Sequence, residues 1–296
     1  MSTVRITQRL MVERSLTAMQ TGAGRLARSQ EQLSTGRLIN RPSDSPTGTN
    51  SAMRLREQLA TDAQHARNAS DGLAWLGRTD NTLTTMLDGT RRARDLILQG
   101  VSTGNTGPQA REALAMEMEQ LRESMLSLAN TQHLGRPLFG GTTDGPAAYN
   151  ADGTFAGVAS SSISRRVGDE QVVRISTVGP AAFGADGSNL FDVLDKAVNQ
   201  LRTAPDQLSA TLGELDAVMN KMTTALADVG TRYGRVESAL ASVNSATLDM
   251  QAALSEVENV DIAKAIVDLQ MQEVAYQAAL GATARVIQPS LIDFLR

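Results

Sequence analysis

Between Leu208 and Val257 apolar side chains recur in steps of four and three without a break. The positions are Leu208, Leu212, Leu215, Met219, Met222, Leu226, Val229, Tyr233, Val236, Leu240, Val243, Thr247, Met250, Leu254 and Val257, and only Thr247 is polar. This spacing sets every one of them on a single stripe of a helix. No proline interrupts the run, and Gly213, Gly230 and Gly234 each weaken it only locally. Fifty residues at about 1.5 Å each make a rod of about 75 Å. A rod of that length has no compact core to enter, so other long helices must lie beside it, as in a coiled coil.

The first half of the chain supplies them. Val12, Leu16, Met19, Ala23, Leu26 and Leu33 form a narrow seam on an amphipathic helix over residues 1 to about 35, with arginines covering the rest. Gly36 is placed to end it in a left-handed cap. The stretch Arg41-Pro42-Ser43-Asp44-Ser45-Pro46-Thr47-Gly48 reads as an irregular, stiff connector. A second helix is expected from about Ser51 to Gln99, with Leu55, Leu59, Ala66, Ala69, Leu73, Leu76, Leu83, Leu87 and Ile97 inward. After a polar turn over Gly100–Gly107, Pro108 opens a third helix to about residue 134, in which Leu114, Met118, Leu121, Met125 and Leu128 repeat. These two helices form an antiparallel hairpin against which the long rod lies.

From Gly135 to Gly187 the composition turns to Gly, Ser, Thr, Asp and Ala. Gln171–Val178 reads as a strand, with Thr154–Val158 and Ser161–Val167 as weaker ones, so a small β-rich insert is expected. Phe139, Tyr149, Phe155 and Phe183 are its candidate core, and Asn189 is the expected cap of the next helix, Leu190 to Leu201. Beyond Val257 the heptad stops at Glu258-Asn259-Val260-Asp261. A last amphipathic run follows through Ile262, Ile266, Leu269, Val274, Tyr276, Leu280 and Val286, with Pro289 expected to end it. Each end of the chain thus carries a stripe that only the other end, or another copy, can cover. The reading is that both are loose in the monomer and pair on assembly.

Composition excludes several function classes. Of 296 residues, 28 are basic and 32 acidic, a formal charge of -4 that leaves no nucleic-acid footprint. Aromatics are only 3%, so the core must be built from Leu, Met, Val and Ala, a poor lining for a large ligand pocket. Cysteine is absent, which removes disulfide and thiol chemistry. The start has no signal-peptide apolar run, and no segment is long and apolar enough to cross a membrane. His65 and His133 fall in different expected helices and are read as packing or solvated residues, so no catalytic, cofactor or metal site is assigned. Gly100–Gly107 lacks the Lys and preceding strand of a phosphate loop. Asp44, Asp71, Asp80 and Asp88 lack calcium-loop spacing. Glu119 and Arg122 are expected to form a solvent-facing pair within one helix. Arg91, Arg92 and Arg94 are read as a solvated or subunit-contact face, and Met219, Met222 and Met250 as core. An enzyme is not expected.

Two stretches carry a resemblance. Gln32-Leu33-Ser34-Thr35-Gly36-Arg37-Leu38-Ile39-Asn40-Arg41-Pro42-Ser43-Asp44-Ser45-Pro46, after the opening Arg5-Ile6-Thr7, resembles the N-terminal signature of the bacterial flagellin-like superfamily. Ala275-Tyr276-Gln277-Ala278-Ala279-Leu280 and Ser290-Leu291-Ile292-Asp293-Phe294-Leu295 resemble its C-terminal end. Gly36, Arg37, Ile39, Asn40, Pro42, Ser43, Asp44, Pro46, Ser290, Leu291, Asp293 and Phe294 carry the match. The Pro-Ser-Asp-Ser-Pro at 42–46 and the Asp293-Phe294 ending resemble the hook–filament junction branch rather than flagellin proper.

The resemblance implies a mainly α fold: an elongated long-helix bundle with a small inserted β-rich domain. It implies terminal helices (1–40 and 260–296) disordered in the monomer, a bundle over 41–136 and 188–259, and an outer domain over 137–187. It implies a structural role in a ring of copies, between the first hook-associated protein and flagellin. It also implies type III export without a cleaved signal, helped by an export chaperone on residues 260–296, and no membrane insertion. Leu16, Leu26, Leu33, Ile266, Leu269 and Leu280 are then assembly and chaperone residues. Leu269→Asp is expected to block assembly without changing the monomer's melting, and Leu226→Asp to unfold the bundle. The alternatives are a short flagellin and a helical adaptor rod of the chemoreceptor kind.

Overall fold

The computed structural model describes residues 2–102 and 107–294, with side chains left undescribed at 2–9, 11 and 285–294. Part of the expected 100–107 turn therefore lies outside the described residues. So do the side chains of the signature positions Ser290, Leu291, Asp293 and Phe294. The elements are α1 (Ser2–Thr35), α2 (Pro46–Val101), α3 (Pro108–Ala129), β1 (Gln132–His133), β2 (Arg136–Pro137), β3 (Ser164–Arg166), β4 (Val172–Arg174), α4 (Gly179–Phe183), α5 (Leu190–Thr203), α6 (Leu208–Glu258) and α7 (Ile262–Phe294). No described helix is long and apolar enough to cross a membrane.

Helix boundaries follow from local chemistry. α1 stops at Thr35 because Gly36 takes a φ of 68°, as expected of a left-handed cap. α2 begins at Pro46, earlier than the expected Ser51. Pro46 needs no N–H partner in a first turn, and Ser45 caps the helix by accepting the Gly48 N–H at 3.1 Å. α7 runs through Pro289 to Phe294 instead of stopping there. A proline removes one hydrogen bond of the ladder, and the remaining bonds carry the helix past it.

Two compact units divide the chain: residues 1–60 with 247–296, and residues 61–246. α2 and α6 contribute to both. The second unit holds the main core. Leu76, Leu83, Met86, Leu96 and Ile97 of α2 meet Met118 and Met125 of α3, Leu194 and Leu201 of α5, and Leu215, Met222, Val229 and Val236 of α6, all buried. At the centre the Thr90 hydroxyl lies 3.7 Å from Met125 Sδ and 3.6 Å from Met222 Sδ. Of the three methionines expected in the core, Met222 is buried, Met219 packs half-buried against the core, and Met250 is half-buried outside it. The α6 heptad departs from expectation at one place. Tyr233 is exposed, and its neighbour Arg232 is buried in its stead. His65 is buried beside Asp62 on α2. His133 lies in β1 and not in a helix, its ring 5.5 Å from that of Trp75.

The ion pairs also differ from the expected local ones. Glu119 pairs with Arg202 of α5 at 2.7 Å, and Arg122 with Asp195 at 2.6 Å, so both residues tie α3 to α5 and not to each other. Arg92 reaches Glu117 of α3 and Arg94 reaches Asp216 of α6, while Arg91 pairs with Asp88. The basic cluster is therefore spent on helix contacts. Spacing along one helix showed possible neighbours only within that helix.

The insert is small and mostly turns. β1 and β2 form a hairpin closed by Leu134 and Gly135, and β3 pairs antiparallel with β4. The expected strand at 171–178 is realised only over Val172–Arg174, and the one at 154–158 only as a bridge between Tyr149 and Phe155. Asn130 organises the loop: its Oδ1 accepts from Ala148 N and Tyr149 N, both at 2.8 Å. Tyr149 packs edge-on to Phe155 and to Phe191, with ring centres 5.4 and 5.0 Å apart, and Phe139 to Phe183 at 4.9 Å. Phe191 belongs to α5, so the expected aromatic core is shared with the bundle. Gly153, at a φ of 86°, lets the chain pass Phe191, where a Cβ would stand 2.6 Å from the Phe191 Cβ. Asn189 caps α5 as expected, within a capping box completed by Asp192.

Candidate assembly interface

The first unit is built on a pair of helices and a pair of linkers. α1 runs antiparallel along α7: Ser29 faces Gln272, and Gly22 faces Tyr276. The linkers that follow α1 and precede α7 are stitched together. Leu38 N donates to Glu258 O at 2.7 Å, Val260 N donates to Gly36 O at 3.0 Å, and Arg37 bridges to Asn259. Asp44 closes the first linker by accepting from Arg41 N at 2.8 Å and Asn40 N at 3.2 Å. Arg56 of α2 then clamps Glu258 at 2.7 Å.

The signature residues gain physical roles here. Gly36 supplies the left-handed turn, Asp44 the loop-closing carboxylate and Pro46 the start of α2. Ile39 packs over Gly48, where an added Cβ would stand 2.6 Å from its Cδ1. Asn40 Nδ2 donates to Arg37 O at 3.3 Å. Pro42 and Ser43 lie in the exposed turn of the linker.

The seam between α1 and α7 is poor in bulky apolar groups. Its members are Gly22, Leu26, Ser29 and Leu33 against Ala265, Leu269, Gln272, Tyr276 and Ala279, and among them only Ser29 and Ala265 are fully buried. The Ser29 hydroxyl donates to Gln272 Oε1 at 3.1 Å in the middle of the seam. Of the six residues assigned to assembly, Leu26, Leu33 and Leu269 are half-buried in this seam. Leu16, Ile266 and Leu280 face outward, the first 55% exposed. The six therefore do not form one surface. The sequence stripe merged two faces, because a seam of small residues covers only part of each helix.

Beside the seam runs a groove of about 710 Å³, lined by Leu10, Arg14, Thr17, Ala18, Thr21 and Arg25 of α1 and by Gln272, Ala275, Tyr276 and Ala279 of α7, with Glu13 at its edge. No heptad argument pointed to it, because it is a product of the pairing. No cluster of three or more metal-ligating side chains occurs among the described residues.

Comparison with known proteins decides the family. Residues 6–144 match the bacterial flagellin N-terminal helical region, and residues 212–295 match the bacterial flagellin C-terminal helical region. The chain belongs to the bacterial flagellin family. Within that family this flagellin-like chain is 25% identical to flagellar hook-associated protein 3 of Salmonella typhimurium, over 68% of this chain and 67% of the relative. It is 26% identical to a flagellar filament 31.3 kDa core protein of Treponema maltophilum, over 91% of this chain and 92% of that one. Its fold matches the structure of a putative flagellar hook-associated protein from Vibrio parahaemolyticus, with a TM-score of 0.67 at 20% identity, covering 73% of this chain and all of the other. The flagellin-family chain is a structural component of the flagellum, as these relatives are.

Proposed function

We propose that this chain is the subunit of the ring that joins the hook to the flagellin filament. The observation that carries the reading is the terminal pair. Its outward residues Leu16, Ile266, Leu280 and Met271 stay in water in the single chain, so apolar burial awaits other subunits. In this reading 1–40 and 260–296 form the inner layer, 41–136 with 188–259 the next, and 137–187 faces outward. The ring sits on the first hook-associated protein and receives flagellin. The chain leaves the cell unfolded through the type III export apparatus, with an export chaperone holding residues 260–296 beforehand. Its work is mechanical and not enzymatic: the cross-stitched linkers and ion-paired helices transmit torque. The kinship to hook-associated protein 3 supports this assignment.

A second reading, a short filament subunit, is favoured by the filament core relative that spans most of the chain. Deleting the gene separates the two. Hooks without filaments, with flagellin lost to the medium, are expected of a junction subunit. Loss of filaments with no other flagellin anywhere identifies the filament subunit itself, and normal filaments reject both readings.

A further inference from the structure

A small crevice of about 220 Å³ opens where the segment after β4 meets α6, inside the second unit. Arg174, Thr177, Thr224, Asp228 and Arg232 line it, with two alanines between them. That volume holds several waters, at about 30 Å³ each, and falls short of the roughly 300 Å³ at which pockets for drug-sized ligands begin. Thr177 is 5% exposed, and its hydroxyl has no hydrogen-bond partner among the described residues. A buried hydroxyl in that state costs the fold free energy unless something outside the chain pairs with it. Thr224 adds no donor, because its hydroxyl donates to Asn220 O at 2.9 Å. The charges are unbalanced as well. Arg232 meets both carboxylate oxygens of Asp228, through Nε at 3.0 Å and through Nη2. Such a two-pronged pair satisfies itself. Arg174 reaches the same carboxylate only through Nη2, at 3.3 Å, longer than the usual charge-assisted bond of about 2.7–2.9 Å. Its side chain is half exposed, and its other guanidinium nitrogens have no partner among the described residues.

We infer that this crevice binds a small oxyanion, with Thr177 Oγ1 donating to it at the floor and the Arg174 guanidinium facing it at the mouth. Two guanidinium groups and one carboxylate leave one positive charge over, and both groups with capacity to spare are donors. A cation would meet Arg174 and find only Asp228, whose oxygens are already taken. An apolar molecule would leave the Thr177 hydroxyl unpaired. The two cations also crowd one another. Burial first, and then Arg174, lowers the pKa of Arg232 to about 10, so an anion beside both relieves a repulsion. A phosphate ion, or the carboxylate of a small acid, carries the required chemistry at a size the crevice admits. The inference stands apart from the role as an assembling subunit, since every residue it uses lies within residues 174–232.

The test is the melting of the full chain in chloride, in phosphate and in acetate, at one pH and one ionic strength. Arg174→Gln removes the free charge from an exposed position, and Thr177→Val removes the hydroxyl while keeping the shape. A ligand that binds only the folded chain, at about ten times its dissociation constant, raises the folding equilibrium constant about elevenfold, a shift of about 3–6 °C in a unit of this size. The expected result is a saturable rise of that order in the natural protein with phosphate or acetate, lost in both variants. Which of the two anions acts tells free phosphate from a carboxylate. Equal rises in the natural protein and in either variant would mean a general effect of the salt on the protein surface and would overturn the inference. So would the absence of any rise with either anion, which leaves the crevice to water.

Discussion

Arg232 donates its Nη1 hydrogen to the Ser176 carbonyl at 2.8 Å, so a buried cation on α6 holds the segment that follows β4. Its Nε also donates to Asp228 at 3.0 Å, one helical turn back, and Asp228 accepts from Arg174 of β4 at 3.3 Å. Burial, and after it the nearby Arg174, lowers the pKa of Arg232 to about 10.

Arg232→Met tests that tie. The methionine fills the space of the aliphatic stem but leaves the buried Ser176 carbonyl unpaired. An unpaired buried carbonyl costs about 1–3 kcal/mol, which lowers the melting temperature by about 2–10 °C in a unit of this size. Differential scanning calorimetry checks it. Arg232→Lys should recover little, because an ammonium cannot span Ser176 and Asp228 as the fork does. Unchanged melting in both variants would remove the tie from the account of how the insert is held.

Arg202 offers a test by pH and salt. It bridges Glu112 at 2.9 Å and Glu119 at 2.7 Å, joining α5 to α3. The hydrogen bond from Arg202 holds the Glu112 carboxyl below its ordinary value of 4.5. A carboxylate whose folded pKa is depressed stabilises the fold fully above its unfolded value and loses that effect as pH falls through the folded one. Arg202→Met should therefore melt below the natural protein at neutral pH, and the gap should close as pH drops below 4.5. Because these groups face water, 1 M salt should close it too, where the screening length is only about 3 Å. A gap that persisted in acid and in salt would mean that Arg202 acts through packing.

What could be read from the sequence was periodic or capped. The α6 heptad, the Gly36 stop and the Asn189 cap are each set by chemistry within a few residues, and each recurs in the structure. What escaped was made by contact between distant segments. Glu119 and Arg122 look like partners on one helix, yet each finds a better one on α5. Arg232 breaks the heptad's apolar logic because Ser176, 56 residues away, needs a donor. The stitching of Leu38 to Glu258 and the groove along α1 and α7 exist only once both ends of the chain meet. Leu16, Leu26, Leu33, Ile266, Leu269 and Leu280 were legible as apolar, but their division between seam and surface was not.

The hairpin tip holds a residue that opposes its own backbone. Leu134 takes a φ of 50° and Gly135 a φ of 77°, as a two-residue turn with both central residues left-handed requires. Leucine is disfavoured there, and its side chain is 85% exposed. Leu134→Asn should raise stability by about 0.5–1 kcal/mol, since Asn-Gly is the preferred pair for this turn. A thermal melt checks it. A loss of stability would mean that the Leu134 side chain makes a contact of its own in the free protein.

Leu269 and Leu16 separate folding from assembly within the terminal pair. Leu269 is half-buried in the seam, one turn from the buried Ala265, so Leu269→Asp puts a carboxylate where α1 closes over α7. The expectation from sequence is that this change spares the monomer; the half-buried position of Leu269 predicts the opposite. The pair should open, seen as faster proteolysis of both ends and a lower helical signal, because a carboxylate at this half-buried position gives up water and loses the packing of the leucine. Leu16 is 55% exposed, and Leu16→Asp should leave the same two measurements within error, since surface changes are usually within about 0.5 kcal/mol. Both variants should nevertheless lose filaments in the cell: Leu269→Asp because the inner pair is absent, Leu16→Asp because its outer face no longer buries against a neighbour. Normal swimming with Leu16→Asp would show that this face stays in water in the assembled flagellum.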